Sequence, residues 1–341
     1  PISQFDLVMN GTTPYYLCLD NWQSGDSSWG GDGLAFLPTA GQTSITSQCI
    51  ERQGNGNASS PVHTDGIDEV QNQFYNPRAA IRTDGTYVYA YTRLVADGTI
   101  KAGDKINVVV PTGNFGNILA AYYAKNMGVP IGKLICASNS NKVLFDFFKT
   151  GEYDRNREFV LTASPSMDIL ISSNLERLIY HIAGDDAQKN AQYMQQLSGN
   201  GKYEITEEMR EKLSDFFGGY ATEKETFATI KNIFDKTGYL MDTHTAVASS
   251  VYSKYVSETK DDTVTVIAST ASPFKFTRSV MNALGKGDDS KDDFALADEL
   301  SAVSGVQIPE AVSSIRTAEI RHRKVVDKAD MQKAVMDFLG Q

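Results

Sequence analysis

A chain of 341 residues is long enough to build two domains with cores of their own. Its formal charge of −10 excludes the broad basic face that non-specific binding to nucleic acid or an anionic membrane needs, yet leaves room for a local pocket that takes a phosphate. Cys18, Cys49 and Cys136 lack metal-ligand spacing, and only four histidines are scattered along the chain. No apolar run reaches the roughly 18 residues of a membrane span, and the opening residues carry no signal-peptide zones, so a reduced, metal-free, cytoplasmic protein is expected.

Residues 1–86 have a texture of their own: Gly, Ser, Thr, Asn and Gln abound, lysine is absent, and apolar periodicity is poor. The opening at Pro1 is expected of a polypeptide that begins inside a longer or processed one. Short strands and loops are the expected content. Tyr15-Tyr16-Leu17-Cys18-Leu19 and Leu34-Ala35-Phe36-Leu37 are strand-sized, with a glycine-rich turn or loop from Ser24 to Gly33 between them.

From about Tyr87 to the C-terminus, residues 87–341 show the strand and helix alternation of an α/β protein with a parallel sheet. Tyr87 to Val95 reads as helix, Ile106 to Val110 as a buried strand, and Ile118 to Met127 as a helix stopped by Gly128 and Pro130. Lys133 to Ser138 follows as a strand, then a helix from Val143 to Lys149 that ends at Gly151. Met167 to Ile182 carries Ile171, Leu175, Leu178, Ile179 and Ile182 at helical spacing. Thr222-Glu223-Lys224-Glu225 fits a capping box opening a helix that runs to Gly238. Thr263 to Ala268 reads as a second buried strand, and Lys328 to Leu339 as a closing amphipathic helix.

Between the first buried strand and its helix lies Pro111-Thr112-Gly113-Asn114-Phe115-Gly116-Asn117, with the look of an anion cradle. Glycines at 113 and 116 can take positive φ and let main-chain N–H groups converge on a phosphate, with the helix dipole behind them. Without a Walker lysine or a dinucleotide glycine fingerprint, the loop favours a single terminal phosphate held by backbone donors, a description that pyridoxal phosphate suits. The bland alternative is a simple strand-to-helix turn. A tension comes with the cradle: the first lysine is Lys101, so the amino-terminal segment offers no amine for a Schiff base.

Ser269-Thr270, delivered from the carboxyl end of the second strand, is either a helix-capping pair or a hydroxyl set against a pyridine nitrogen. Ser164 to Asp168 reads as a cap with an acidic first turn, and His244 as a residue that opens a helix. Lys275 and Arg278, just past the strand end, are either solvated charges or an attraction for a substrate phosphate. Lys101, Lys105 and Lys125 are the amines to test as surrogates.

With these segments in order, the chain from about Tyr87 resembles threonine synthase. The resemblance runs through Val109 to Ala120, Lys133 to Asn139, Ser164 to Ile169 with Ser172 to Arg177, His244 to Val247, and Ser269 to Phe276. It implies the two-domain α/β fold of the tryptophan-synthase-β type, fold type II of the pyridoxal-phosphate enzymes, with residues 1–86 atypical or replaced. It further implies that Gly113, Asn114, Phe115, Gly116 and Asn117 hold the phosphate of pyridoxal 5'-phosphate and that Thr270 faces its pyridine nitrogen. The implied reaction is that of a lyase in threonine biosynthesis, converting O-phospho-L-homoserine and water into L-threonine and phosphate. The family's lysine motif is absent from residues 1–86, where Leu37 stands in the only faintly similar run. Either this is a truncated or rearranged gene product whose front end is unrelated, or a partner chain supplies the missing half; the alternative function is that of a silent homologue that binds pyridoxal phosphate or another phosphate ligand.

Overall fold

In the computed structural model, side chains are described from residue 85 onward except at residues 322 and 341. Ahead of them the backbone is described for five short strands and the start of a helix. These strands are β1 (Asp6–Val8), β2 (Tyr15–Cys18), β3 (Gly33–Phe36), β4 (Ser44–Thr46) and β5 (Gln48–Ile50). The two apolar runs read as strands pair with each other, Tyr15 opposite Phe36 and Cys18 opposite Gly33. The expected loop from Ser24 lies outside the described residues until Gly33.

Helix α1 (Pro77–Ala96) begins well ahead of Tyr87 and so crosses the 86/87 boundary suggested by composition. A proline at its first position presets the φ of a first turn. After it come β6 (Ile106–Pro111), α2 (Gly116–Asn126), β7 (Ile131–Ser138), α3 (Val143–Thr150) and β8 (Glu152–Asp154). A 3-10 turn at Pro165–Met167 leads to α4 (Leu175–Ile182), α5 (Ala187–Asn200), β9 (Lys202–Glu204), α6 (Glu207–Glu211) and β10 (Phe216–Tyr220). The remainder is α7 (Glu223–Thr237), α8 (Thr243–Thr259), β11 (Thr265–Ile267), a 3-10 turn at Pro273–Phe276, α9 (Thr277–Ala283), α10 (Asp293–Ser304), α11 (Glu310–Ser313), 3-10 turns at Ser314–Arg316 and Lys328–Asp330, and α12 (Met331–Leu339).

Strands β10, β7, β6 and β11 form one parallel sheet in that order. Every residue of β6 is buried, because α2 and α3 cover one face of the sheet and α8 the other. A strand covered on both faces reads as a continuous apolar run, which is why Ile106 to Val110 is unbroken by polar side chains apart from Asn107. Gly218 and Gly219 let helices approach β10 from both sides. A Cβ on Gly218 would stand 3.0 Å from Phe148, and one on Gly219 would stand 2.5 Å from Val251. A second core, built on Ile230, Phe274, Val280, Met281, Ala297 and Leu300, joins α7, α9 and α10. No residue of α12 is buried. Among the described residues no helix is long and apolar enough to cross a membrane.

Two expected elements differ. The helix expected from Met167 starts only at Leu175, because the residues before it are drawn into hydrogen bonds with the loop after β6. The strand expected from Thr263 to Ala268 pairs over only Thr265 to Ile267 and is half-buried, because it is the sheet's edge and has one neighbour. The capping box is present as read, with the Thr222 hydroxyl accepting from the Glu225 N–H and Glu225 accepting in return.

At the N-terminal end of the sheet, Asp261 accepts from Asn107 Nδ2 at 2.8 Å and from the Tyr255 hydroxyl, tying β6 to α8. Hydrogen bonds from Thr263 and Tyr255 hold the Asp261 carboxyl far below the usual range, and burial together with Asp261 pushes the Tyr255 phenol up to about 12. A carboxyl depressed on folding contributes stability that is present above its unfolded pKa of about 4 and is lost as pH falls toward the folded value. The thermal midpoint should therefore fall with acidification below about pH 4 in the wild type, with a shallower slope in Asp261→Asn. Parallel slopes for the two proteins would remove Asp261 from the account.

Candidate functional site

The site grows from the carboxyl end of β6, where a parallel sheet places ligands. Thr112 caps the strand: its N–H donates to Ala137 O at 2.8 Å and its hydroxyl to Val110 O at 2.7 Å. The chain then turns through residues 113–117, and the two sides of its peptide groups are treated differently. On the carbonyl side, Gly113 O accepts from the Ser172 hydroxyl at 2.7 Å, and Asn114 O accepts from both Asn174 N (3.1 Å) and Asn174 Nδ2 (2.8 Å). On the other side, the N–H groups of Gly113, Asn114 and Phe115, and those of Gly116 and Asn117 in the first turn of α2, have no acceptor among the described residues. Free N–H groups at a helix N-terminus make an anion site. Beside them the Ser138 hydroxyl, buried at the end of β7, also has no partner among the described residues.

The turn is made by Phe115 and not by a glycine. Phe115 has φ of 67°, whereas neither Gly113 nor Gly116 takes positive φ. A bulky residue in this region costs about 1–2 kcal/mol. Burial offsets that cost, since the Phe115 ring is 1 % exposed and lies 6.1 Å from Phe148 and 6.0 Å from Phe216. Phe115 thus offers the site its main chain only. The glycine at 113 is needed for a close approach instead: a Cβ there would stand 2.9 Å from Ser166 O and 3.0 Å from Met167 Cα. Asn117 Oδ1 accepts from the Tyr87 hydroxyl at 2.7 Å, while the Asn114 side chain is exposed.

The segment packed against Gly113 is held by one carboxylate. Asp168 accepts from Asn139 Nδ2 (2.7 Å), Asn141 Nδ2 (2.9 Å), Thr162 N (2.8 Å) and Thr162 Oγ1 (2.7 Å). Ser164 caps nothing with its side chain, which instead accepts from Asn139 Nδ2 at 3.0 Å. Further along, the Tyr153 hydroxyl donates to Leu170 O at 3.0 Å and accepts from Ser172 N at 2.7 Å, which sets Ser172 under Gly113. Burial, partly countered by the Ser172 N–H and by Arg157, pushes the Tyr153 phenol up to about 12. Tyr153 and Asn141 were not singled out by sequence; no local motif signals a contact that spans such separations.

A second side is built on α8. Asp242 caps the helix, accepting from His244 N at 2.8 Å and Thr245 N at 3.3 Å. Burial would raise its carboxyl, but hydrogen bonds from the His244 and Thr245 side chains and N–H groups outweigh burial and hold it below the ordinary value. His244 accepts from Ser166 N at 3.2 Å, and Thr245 meets the Ser269 hydroxyl at 3.2 Å. Ser269 and Thr270 are exposed at the end of β11 and cap nothing; the cap of the following turn is Ser272. Arg278 is occupied by Asp293 at 2.9 Å and by the carbonyls of Asp288 and Lys291. Lys275 has no carboxylate partner among the described residues and lies 5.3 Å from the Phe276 ring.

The surrogate amines are elsewhere. Lys101 and Lys105 precede β6, whose six residues put roughly 20 Å between its start and the loop at its other end. Lys125 is bound to Gly132 O at 2.9 Å and paired with Asp215 at 3.3 Å. Burial pushes the Cys136 thiol up to about 12, so it offers no thiolate.

Comparison with known proteins supplies the context for this geometry. Residues 245–335 match the family model "Threonine synthase, C-terminal". The chain is 46 % identical over 197 residues to human threonine synthase-like 1, covering 57 % of this chain and 26 % of that protein. It is 40 % identical over 220 residues to Saccharomyces cerevisiae threonine synthase, covering 60 % of this chain and 43 % of the relative. Among solved structures, yeast threonine synthase superposes with a TM-score of 0.65 at 32 % identity, over 76 % of this chain and 52 % of that one. A pyridoxal-phosphate-bound threonine synthase from Brucella melitensis gives 0.55 at 36 % identity, over 64 % and 48 %. The chain thus spans between about a quarter and a half of the length of these proteins.

Because Gly113 faces a backbone carbonyl that cannot swing away, Gly113→Val should lower stability by about 1–3 kcal/mol, with Gly113→Ala intermediate. Urea midpoints measure this. Wild-type midpoints for both variants would contradict the close approach.

Proposed function

We propose that this chain, which from about residue 87 belongs to the threonine synthase family with the fold of type II pyridoxal-phosphate enzymes, binds pyridoxal 5'-phosphate in the cradle after β6. The observation that carries the reading is the run of five main-chain N–H groups, residues 113–117, without acceptors among the described residues, while the carbonyls of Gly113 and Asn114 are tied to Ser172 and Asn174. Such a donor set fits a terminal phosphate and needs no side-chain cation. Gly113, Asn114, Phe115, Gly116 and Asn117 would hold the phosphate, and Thr270 would face the ring nitrogen. A threonine synthase from Brucella melitensis is described as bound to the same cofactor.

The substrate reading follows the family: O-phospho-L-homoserine and water give L-threonine and phosphate. When bound, the cofactor supplies an electron sink for loss of phosphate from Cγ and addition of water at Cβ. A neutral hydroxyl at Thr270, in place of a carboxylate, favours elimination and replacement over transamination. This chain's own residues supply binding and orientation. The three amines weighed for bonding to the cofactor do not reach it: no lysine precedes Lys101, and Lys101, Lys105 and Lys125 are placed away from the cradle. Turnover would then require an amine that these residues do not place at the cradle, and without one they would act as a cofactor-binding unit. The division into an atypical segment at 1–86 and a ligand-binding region at 87–341, and cytoplasmic residence, belong to the same proposal.

The test is to titrate the full chain with pyridoxal phosphate, reduce it with borohydride, map labelled lysines by peptide mass, and assay phosphate release from O-phosphohomoserine. Saturable binding with no specific label and no release is expected. A single labelled lysine with turnover would replace the silent reading with an active enzyme, and no saturable binding would refute the cradle.

A further inference from the structure

One buried carboxylate organises the polar contacts between the two sides of the site. The oxygens of Asp242, a residue 1 % exposed, take the N–H groups of His244 and Thr245, the His244 Nδ1 at 3.2 Å, and the Thr245 hydroxyl. A carboxylate only accepts, so the ring proton of His244 sits on Nδ1, which leaves Nε2 as an acceptor. That acceptor is used: Ser166 N donates to it at 3.2 Å. Thr245 has a single hydroxyl proton, and the carboxylate shares it. The same hydroxyl faces Ser269 Oγ at 3.2 Å, with Ser269 as the acceptor. Ser166 thus reaches the carboxylate by donating to His244, while Ser269 meets it by accepting from the Thr245 hydroxyl.

We infer that His244, oriented by Asp242, is a positioning residue that holds the 164–168 turn against the Gly113 loop and in fixed relation to the end of β11. The inference rests on the proposed reading only in treating residues 113–117 and 269–270 as two sides of one ligand site. The geometry at Ser166 makes the link consequential, because its N–H is on His244 while its carbonyl lies 2.9 Å from where a Gly113 Cβ would stand. A loosened Ser166 peptide removes the wall behind the cradle. The imidazole is kept in place by the Phe276 ring, with centroids 4.6 Å apart, so it has no free rotation with which to seek another partner. Thr243 Oγ1, at 3.4 Å from the same Nδ1, is the remaining polar neighbour on this element. No water-facing role is left for the ring, which is why His244 acts through Ser166 and not on a ligand.

The test uses His244→Ala, His244→Gln and Thr245→Val in the full chain, with amide hydrogen exchange read over residues 162–170 and 268–274 and pyridoxal phosphate affinity measured in parallel. Glutamine can return an acceptor oxygen near the Nε2 position, whereas alanine cannot. His244→Ala should speed exchange at Ser166 by about fivefold or more, the scale of one hydrogen bond lost, and His244→Gln should recover most of the protection. Thr245→Val, nearly isosteric, should leave Ser166 protected, because the Ser166 N–H reaches Asp242 through His244 and not through Thr245. Cofactor affinity should follow the Ser166 protection across the three variants. Unchanged exchange at Ser166 in His244→Ala, or equal loss in the alanine and glutamine variants, would overturn the positioning role. If His244→Ala does not fold, the glutamine variant decides the question: the role fails if Gln exposes Ser166 fully. A wild-type chain that binds no pyridoxal phosphate would refute the proposed function, while the exchange data would still decide the role of His244.

Discussion

The arrangement turns on how the peptide groups of residues 113–117 are divided. A peptide carries one strong donor and one strong acceptor, and both need partners when water is scarce. Here the acceptors of Gly113 and Asn114 are met by Ser172 and Asn174, and the donors on the other side are not met by any described residue. That asymmetry gives the loop its electrostatic sign. It lies at the positive end of α2 and at the carboxyl edge of a sheet covered on both faces, so the field falls on a small region. The chain's net negative charge is compatible with this, because the donors are fixed main-chain groups and owe nothing to surface lysines.

The fold supports that division from beneath and from the side. Beneath it, the Phe115 ring packs against the stacked pair Phe148 and Phe216, which fixes the left-handed turn from which α2 departs. At the side, Tyr153 positions Ser172, and Asp168 gathers Asn139, Asn141 and Thr162 into the turn that touches Gly113. These contacts are polar and largely buried, so removing one partner strands the other. Each is therefore worth more as a constraint on geometry than as net stability.

Much of this was legible in the sequence, for identifiable reasons. Ile106 to Val110, the small-residue turn and the helix after it announce themselves because a doubly covered strand must be apolar and a strand-to-helix turn needs small residues. The capping box at Thr222 was readable because both of its bonds are local. What was misread depended on distant partners. Ile171 continues the helical spacing of Leu175 and Leu178, yet it is 44 % exposed, because residues 168–174 serve Gly113 and Asn114 in place of a helix. Val264 and Val266 read as core, but an edge strand leaves them half-buried. The positive φ was assigned to glycines on steric grounds; Phe115 takes it because its ring has a buried site that repays the strain. Tyr153 carried no signal at all, since its role lies in two hydrogen bonds to residues seventeen and nineteen positions away.

The most direct measurement is a titration of the isotopically labelled chain with inorganic phosphate, followed through its amide 1H and 15N shifts. The account requires the amides of Gly113, Asn114, Phe115, Gly116 and Asn117 to move together and saturate, with Ser172 and Asn174 moving less because they hold the carbonyl side. Shifts confined to surface lysines, or a loop that stays still at saturating phosphate, would contradict it.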